Sequence, residues 1–301
     1  MQTFFIKLLD YFFATRPVLF MPVWTVALLG AGPATGHRLS HGSAGGLLFA
    51  TACLFGAVYL VNQIFDRACD RINNKGFFLS RGIVSVPEAV ILAIGLALAA
   101  LAVAILVSGY AFVLFIAIIF LGIIYSAPPF RLKDRAWPAL LANMQAHGII
   151  VYLVGAVWEE ELELPHLIHS LPYFFAVGAI YLNTTLPDVE GDRPVGKKTV
   201  AVVYGEKLAQ ILALVFVLVA IGIAVYTRDY DFLLPAIASL PLFALALDRK
   251  SITFSVWATK AALVLLSLSA ALYYYWYVLI LAAGFLAVRV YYKHRFGMVY
   301  P

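Results

Sequence analysis

Ten stretches of about 17 to 24 mostly apolar residues follow one another along this chain, most of them separated by short polar connections. A helix rising 1.5 Å per residue needs about 20 such residues to cross the ~30 Å hydrocarbon core of a bilayer. Backbone groups in that core find no water, so a spanning segment must satisfy its own hydrogen bonds, as a helix does. The expected fold is therefore all-α, a polytopic membrane helix bundle, with residues 1–301 forming one transmembrane domain. Composition agrees. Of 301 residues, 63% are hydrophobic and 12% charged, whereas an ordinary soluble domain is about half apolar and a quarter charged.

The apolar stretches fall near 17–35, 45–65, 87–108, 110–127, 138–158, 170–187, 207–227, 231–247, 252–272 and 274–292. The last two are fused through Tyr273-Tyr274-Tyr275-Trp276-Tyr277 with no polar turn. One helix over both would be about 60 Å long, too long to cross once, so the expected count is nine or ten spans. The segment MQTFFIKLLDYFFATRP, with Lys7, Asp10 and Arg16 among aromatics, lacks a small-residue cleavage site and reads as an amphipathic lead-in to the first span.

Lysine and arginine set the expected orientation. With the N-terminus in the cytoplasm, inside segments collect Lys7, Arg16, Arg67, Arg71, Lys75, Arg81, Arg131, Lys133, Arg135, Arg193, Lys197, Lys198, Lys207, Arg249 and Lys250. Outside segments collect Arg38, Arg228 and the acidic loop WEEELELP, residues 158–165. A C-terminal stretch with Arg289, Lys293 and Arg295 prefers the inside, which favours ten spans. The net charge of +5 is thus a property of loops on one membrane face, and nucleic acid is not an expected partner. Lys260, inside a late span, is read as snorkelling to the interface. Cys53 and Cys69 fit no metal spacing and are read as bystanders.

The two longest polar connections, 66–86 and 188–206, lie on the same expected side, and both open with aspartates. In VNQIFDRACDR, Asn62, Asp66 and Asp70 recur every four residues, which aligns them on one helical face. A solvated helix end, its aspartates paired with Arg67, Arg71 or Lys75, would explain this motif alone. LNTTLPDVEGDRPVGKKT repeats the pattern with Asp188 and Asp192, followed by Arg193, Lys197 and Lys198. Two carboxylate pairs meeting in one cavity repel unless a counter-ion joins them. Magnesium suits such oxygens and retains room for water and substrate phosphate, while neighbouring cations contact the remaining phosphate oxygens. A third element, YSAPPFRLKDR, adds Tyr125, Ser126, Arg131 and Lys133. Its plainer explanation is a positive-inside loop; Lys133 is the residue expected to reach a phosphate.

Asn-x3-Asp-x3-Asp after the second span, the Tyr-Ser-Pro-Lys stretch after the fourth and Asp-x3-Asp after the sixth resemble the UbiA superfamily of intramembrane prenyltransferases. The resemblance covers the span order of nearly the whole chain. It implies nine helices around a central cavity with a cytoplasmic cap; the expected location is the plasma or inner membrane, as an integral multi-pass protein with the site and N-terminus on the cytoplasmic side. It further implies Mg2+ on Asp66, Asp70, Asp188 and Asp192, with Asn62 positioning a prenyl diphosphate. Lys133, Arg67, Arg71, Arg131, Arg193, Lys197 and Lys198 become candidates for the diphosphate oxygens, and Tyr125 and Ser126 for the pocket wall. The implied reaction ionises an allylic diphosphate and alkylates a lipophilic, commonly aromatic acceptor, with Phe55, Tyr59, Tyr125, Tyr152 and Tyr181 as cation-stabilising rings.

Two departures stand out. Relatives often carry Arg-Pro where Phe77 and Phe78 precede Gly82, and often an aspartate where this chain has Thr185. Acceptors in the superfamily include hydroxybenzoate, dihydroxynaphthoate, homogentisate, chlorophyllides, haem and phosphorylated glycerol; YSAPPFRLK leans toward the chlorophyll synthases. A silent prenyl-lipid-binding relative is one alternative. A cation-coupled transporter is another, though it would place carboxylates near mid-membrane and use inverted repeats. No protein partner is expected.

Overall fold

The computed structural model describes residues 2–32, 38–72, 77–194 and 196–300. Lys75 lies outside the described residues, as do the side chains of Cys69 and Phe77. The described chain is helical: α1 (Gln2–Ala14), α2 (Phe20–Gly30), α3 (His41–Ile72), α4 (Val86–Val107), α5 (Gly109–Ser126), α6 (136–156, broken by a π-helical stretch Met144–Ile150), α7 (Leu164–Thr185), α8 (Glu206–Thr227), α9 (Tyr230–Asp248), α10 (Ile252–Tyr273) and α11 (Trp276–Phe296). Nine segments among the described residues are long and apolar enough to cross a membrane. The 22-residue α7 is as long, but His166, His169, Asn183 and two threonines dilute its apolar run.

Local chemistry explains where the helices begin. Ser85 and Glu88 form a capping box at the start of α4, each satisfying a backbone donor that the helix leaves open. The Ser108 hydroxyl accepts from Ala111 N at 3.3 Å to start α5, and Asp229 Oδ1 accepts from Phe232 N at 3.1 Å to start α9.

The aromatic run that left the span count open divides at Tyr274 and Tyr275. At the start of α11, Trp276 Nε1 donates to His41 Nδ1 at 2.8 Å. At its other end, Arg295 donates from Nε to Asp10 Oδ1 at 3.0 Å, and the Tyr291 hydroxyl also donates to Asp10. Since α1–α2 and α3 run between those same two ends, α11 crosses the bundle on its own. Its 21 residues give about 30 Å, enough for one passage.

The bundle is tightened where helices meet through small residues. A Cβ on Gly155 of α6 would overlap the Ala27 carbonyl oxygen of α2, and one on Gly30 would overlap that of Tyr152. A Cβ on Gly148 would stand 2.6 Å from Phe174 Cα of α7. Such close backbone approach is how helices pack in lipid, where water supplies no driving force between them. Apolar side chains such as Ile91, Leu98, Leu106 and Leu272 remain exposed on the outer surface, as a lipid-facing wall requires.

At the end of the bundle holding His41 and Glu159, Asp229 is 1% exposed. Burial pushes its carboxyl up to about 6, partly offset by the Phe232 N–H it accepts, with Asp231 pushing further upward. Because its folded value lies above the usual 3.8, the folded state binds the proton more tightly, and stability falls as pH rises through about 4 to 6. Asn caps a helix as well as Asp does. Asp229→Asn should therefore stabilise the fold in detergent at pH 7, by about 3 kcal/mol at most, read as a higher unfolding midpoint. It should also flatten the midpoint's dependence on pH over that window.

Candidate active site

The acidic residues stand at the opposite end, where α3 continues helically beyond its apolar run to Ile72. That continuation keeps Asn62, Asp66 and Asp70 on successive turns of one face. After α5, the chain turns through Pro128 and Pro129 and passes Arg131 in a left-handed conformation, φ 39°. The short turn Leu132–Asp134 then directs Lys133 inward. Lys133 is 3% exposed, and its Nζ lies 2.6 Å from Asp66 Oδ1. Asn62 Nδ2 donates to the buried Ser126 hydroxyl at 3.3 Å, which ties α3 to the end of α5.

The second motif is built differently. After α7 the chain tightens into Leu186–Asp188 and the single turn Val189–Asp192. Gly196, at φ +73°, then reverses it, a conformation that costs glycine little. The reversal brings the Lys197 N–H to within 3.1 Å of Asp192 O, and Lys197 Nζ to 3.1 Å from Asp192 Oδ2. Asp192 is 4% exposed. Burial opposes the charge on Lys197, but Asp192, with smaller contributions from Tyr125 and Asp188, outweighs it and holds the ammonium above its ordinary range.

Tyr125 connects the two motifs. Its hydroxyl accepts from Asn143 Nδ2 at 3.2 Å and feels the charges of both Lys197 and Asp66. Asn62, Asp66, Tyr125, Ser126, Lys133, Asp188, Asp192 and Lys197 are thus drawn to one mouth. Other candidates stand around it. Asp70 Oδ2 faces an Arg16 guanidinium nitrogen at 3.8 Å. Arg131 pairs with Asp134 at 2.9 Å. Arg67, Arg71, Arg193 and Lys198 are exposed at this end. No group of three or more His, Cys, Asp or Glu side chains among the described residues converges on one point.

Inward from the mouth, a cavity runs from Asn62, Tyr125 and Ser126 to Phe55, Tyr59 and Ile118. A second, larger one runs between α2, α6, α7 and α10 from Tyr181 and Thr184 to Thr25 and Tyr173. Asn143 and His147 border both.

Three residues of the site went unmarked in the sequence. Arg16 counted only as a flanking positive charge. Asn143 and His147 were absorbed in the apolar stretch 138–158, yet their four-residue spacing on one helical face was a usable signal, since polar residues inside spans tend to face cavities. Of the five rings proposed for a passing cation, Phe55, Tyr59, Tyr125 and Tyr181 line these two cavities. Tyr152 instead packs against Tyr173 with ring centroids 4.7 Å apart, and it is fully buried.

Residues 19–254 match the UbiA prenyltransferase family. The chain is 31% identical over 179 residues to 2-acyl-4-prenylphloroglucinol 6-prenyltransferase of Humulus lupulus, covering 55% of this chain and 44% of that protein. It is 28% identical over 207 residues to chlorophyll synthase of Arabidopsis thaliana, covering 65% and 54% respectively. The chain thus spans about half the length of these curated relatives. Its fold is similar to that of a UbiA homolog from Archaeoglobus fulgidus solved with GPP and Mg2+, at a TM-score of 0.67 and 21% identity, covering 93% of this chain and 99% of that one.

Proposed function

Because the chain belongs to the UbiA prenyltransferase family, we propose that it transfers a prenyl group from an allylic prenyl diphosphate to a lipophilic aromatic acceptor, where its two acidic motifs meet. One observation carries this reading: the acid–base pairs Asp66–Lys133 and Asp192–Lys197 flank the mouth of a mostly apolar cavity that holds no charged side chain. That arrangement suits a molecule with a charged head and a hydrocarbon tail.

The donor set fits magnesium. Carboxylate oxygens are hard ligands, and Mg2+ takes one or two of them while completing its shell with water and substrate phosphate, so three converging protein ligands are not required. Asp66 and Asp70 would hold it on one side, Asp188 and Asp192 on the other. When bound, the metal supplies charge neutralisation to the departing diphosphate. The chain's own groups do the rest. Lys133 and Lys197 turn from their aspartates toward phosphate oxygens, Asn62 and Ser126 fix the head, and Arg16 closes the rim beside Asp70. The allylic C–O bond then breaks with its electrons leaving on diphosphate. The apolar cavity keeps water from the cation, and the faces of Tyr125 and Tyr59 stabilise it. A ring carbon of the acceptor captures it.

On this reading the site and the N-terminus face the cytoplasm, since lysine and arginine concentrate at that end, and the protein resides in the plasma or inner membrane as one catalytic unit. The placement of the carboxylates at helix ends argues against a cation pathway through mid-membrane. The direct test incubates purified protein with magnesium, geranyl, farnesyl or geranylgeranyl diphosphate and a lipid extract, and measures diphosphate release. Release that needs magnesium and stops with chelator is the expected result. Tight prenyl diphosphate binding without release would identify a silent lipid-binding relative instead.

A further inference from the structure

His147 has no task in ionising the prenyl diphosphate, yet it occupies the centre of the cavity system. It lies in the π-helical stretch Met144–Ile150; such stretches are rare and concentrate at functional sites. Its imidazole borders both cavities, and neither wall includes an Asp, Glu, Lys or Arg. Nδ1 is fully enclosed, and a proton held there leaves Nε2 as the acceptor. Nε2 stands 3.5 Å from the Tyr59 hydroxyl, at the outer limit of a hydrogen bond. The Phe55 ring centroid is 5.0 Å away. Along α3, Tyr59 precedes Asp66 by seven residues, so the imidazole faces the helix about 10 Å below the carboxylate. An acceptor ring would follow a diphosphate head held at Asp66 at about that depth.

Resting on the prenyl-transfer reading, we infer that His147 receives the acceptor: its Nε2 accepts a hydrogen bond from a neutral phenolic hydroxyl and takes that proton as the new bond forms. The allylic C–O pair leaves on diphosphate, and the ring carbon ortho to the hydroxyl supplies the pair for the C–C bond. The phenolic proton passes to Nε2, giving a dienone. Loss of the ring hydrogen and return of the His147 proton to oxygen restore the phenol, so the net release is diphosphate and one proton. The walls select a neutral phenol over a carboxylate-bearing one, because a buried anion there would lose its hydration with no cationic side chain to compensate.

The test uses the purified full chain with magnesium, geranylgeranyl diphosphate and an acylphloroglucinol as the neutral phenol, with 4-hydroxybenzoate as the anionic comparison. His147→Gln keeps a hydrogen-bond acceptor but takes no proton. It should lower kcat about 100-fold and leave KM for the phenol within about threefold. His147→Phe should raise KM as well. In both variants, diphosphate release should persist, with prenyl alcohol replacing coupled product. Unfolding midpoints of the two variants separate these losses from misfolding. Wild-type kcat in a folded His147→Gln, or in a folded His147→Phe should the glutamine variant not fold, overturns the inference. So does wild-type protein that couples hydroxybenzoate and refuses the neutral phenol. Wild-type protein that releases no diphosphate with any acceptor overturns the prenyl-transfer reading instead.

Discussion

Asp66→Ala and Asp188→Ala should each lower the rate of allylic diphosphate consumption by about 10²–10³-fold, the loss that follows removal of one preorganised charge-stabilising group. Diphosphate release by the purified variants is the measurement, and release at the wild-type rate would remove these residues from the site. The half-buried Asp134 lies at the same end but pairs with Arg131; Asp134→Asn should stay within about twofold of wild type. The two alanine variants should differ in stability. Lys133 is 3% exposed and has Asp66 at 2.6 Å, so Asp66→Ala leaves a buried ammonium without that carboxylate. Breaking a fully buried pair costs about 3–5 kcal/mol, and the 26% exposure of Asp66 reduces that figure. Adding Lys133→Met removes the stranded charge. The double variant should regain much of the lost unfolding midpoint and none of the activity, the non-additivity expected of residues in contact.

Gly155→Ala should produce the largest loss of stability among single-atom-scale changes in the bundle. The added Cβ meets the Ala27 carbonyl oxygen of α2 and lies within 3.0 Å of Ala31 N. These are backbone atoms, so no side chain can swing aside, and the helices must separate. Overpacking of this kind costs about 3 kcal/mol, at the upper end of its usual range. A fall of several degrees in the unfolding midpoint is the expected reading, with a steeper fall for Gly155→Val. Gly222 of α8 is the control, because a Cβ there meets nothing within 4 Å. Gly222→Ala should be neutral or stabilising by about 0.5–1 kcal/mol, through helix propensity alone. The α2–α6 contact also sets the width of the cavity between Thr25 and His147, so activity should fall with stability in the Gly155 variants and remain intact in Gly222→Ala.

Much of the fold was legible because lipid imposes a simple rule. A run such as 87–108 has to be a helix, and the helix found is Val86–Val107. The run 45–65 was legible only in part: α3 continues from His41 to Ile72, since polar residues keep helical backbone once the chain leaves hydrocarbon. The acidic motifs were legible from their four-residue spacing, which makes a face visible in one dimension. Lys133 stood out for a similar reason, as a lone lysine in a turn stiffened by proline. Arg16 and His147 did not. The partner of Arg16 is 54 positions away, and that of His147 is 88 positions away on another helix. No local pattern encodes either distance.

The sequence by itself determined the class of the fold, the succession of apolar passages up to an open count of nine or ten, and the two acidic faces, because hydrophobic length and helical period are properties of consecutive residues. The tertiary structure decided what those faces confront. It seated Lys133 against Asp66, folded Lys197 back onto Asp192 through Gly196, and divided the final aromatic run into two helices by anchoring Trp276 at His41 and Arg295 at Asp10. It also set Asn143 and His147 between two cavities. Each of these pairs residues that are distant in the chain or turned toward one another by the backbone, which no run of consecutive residues specifies.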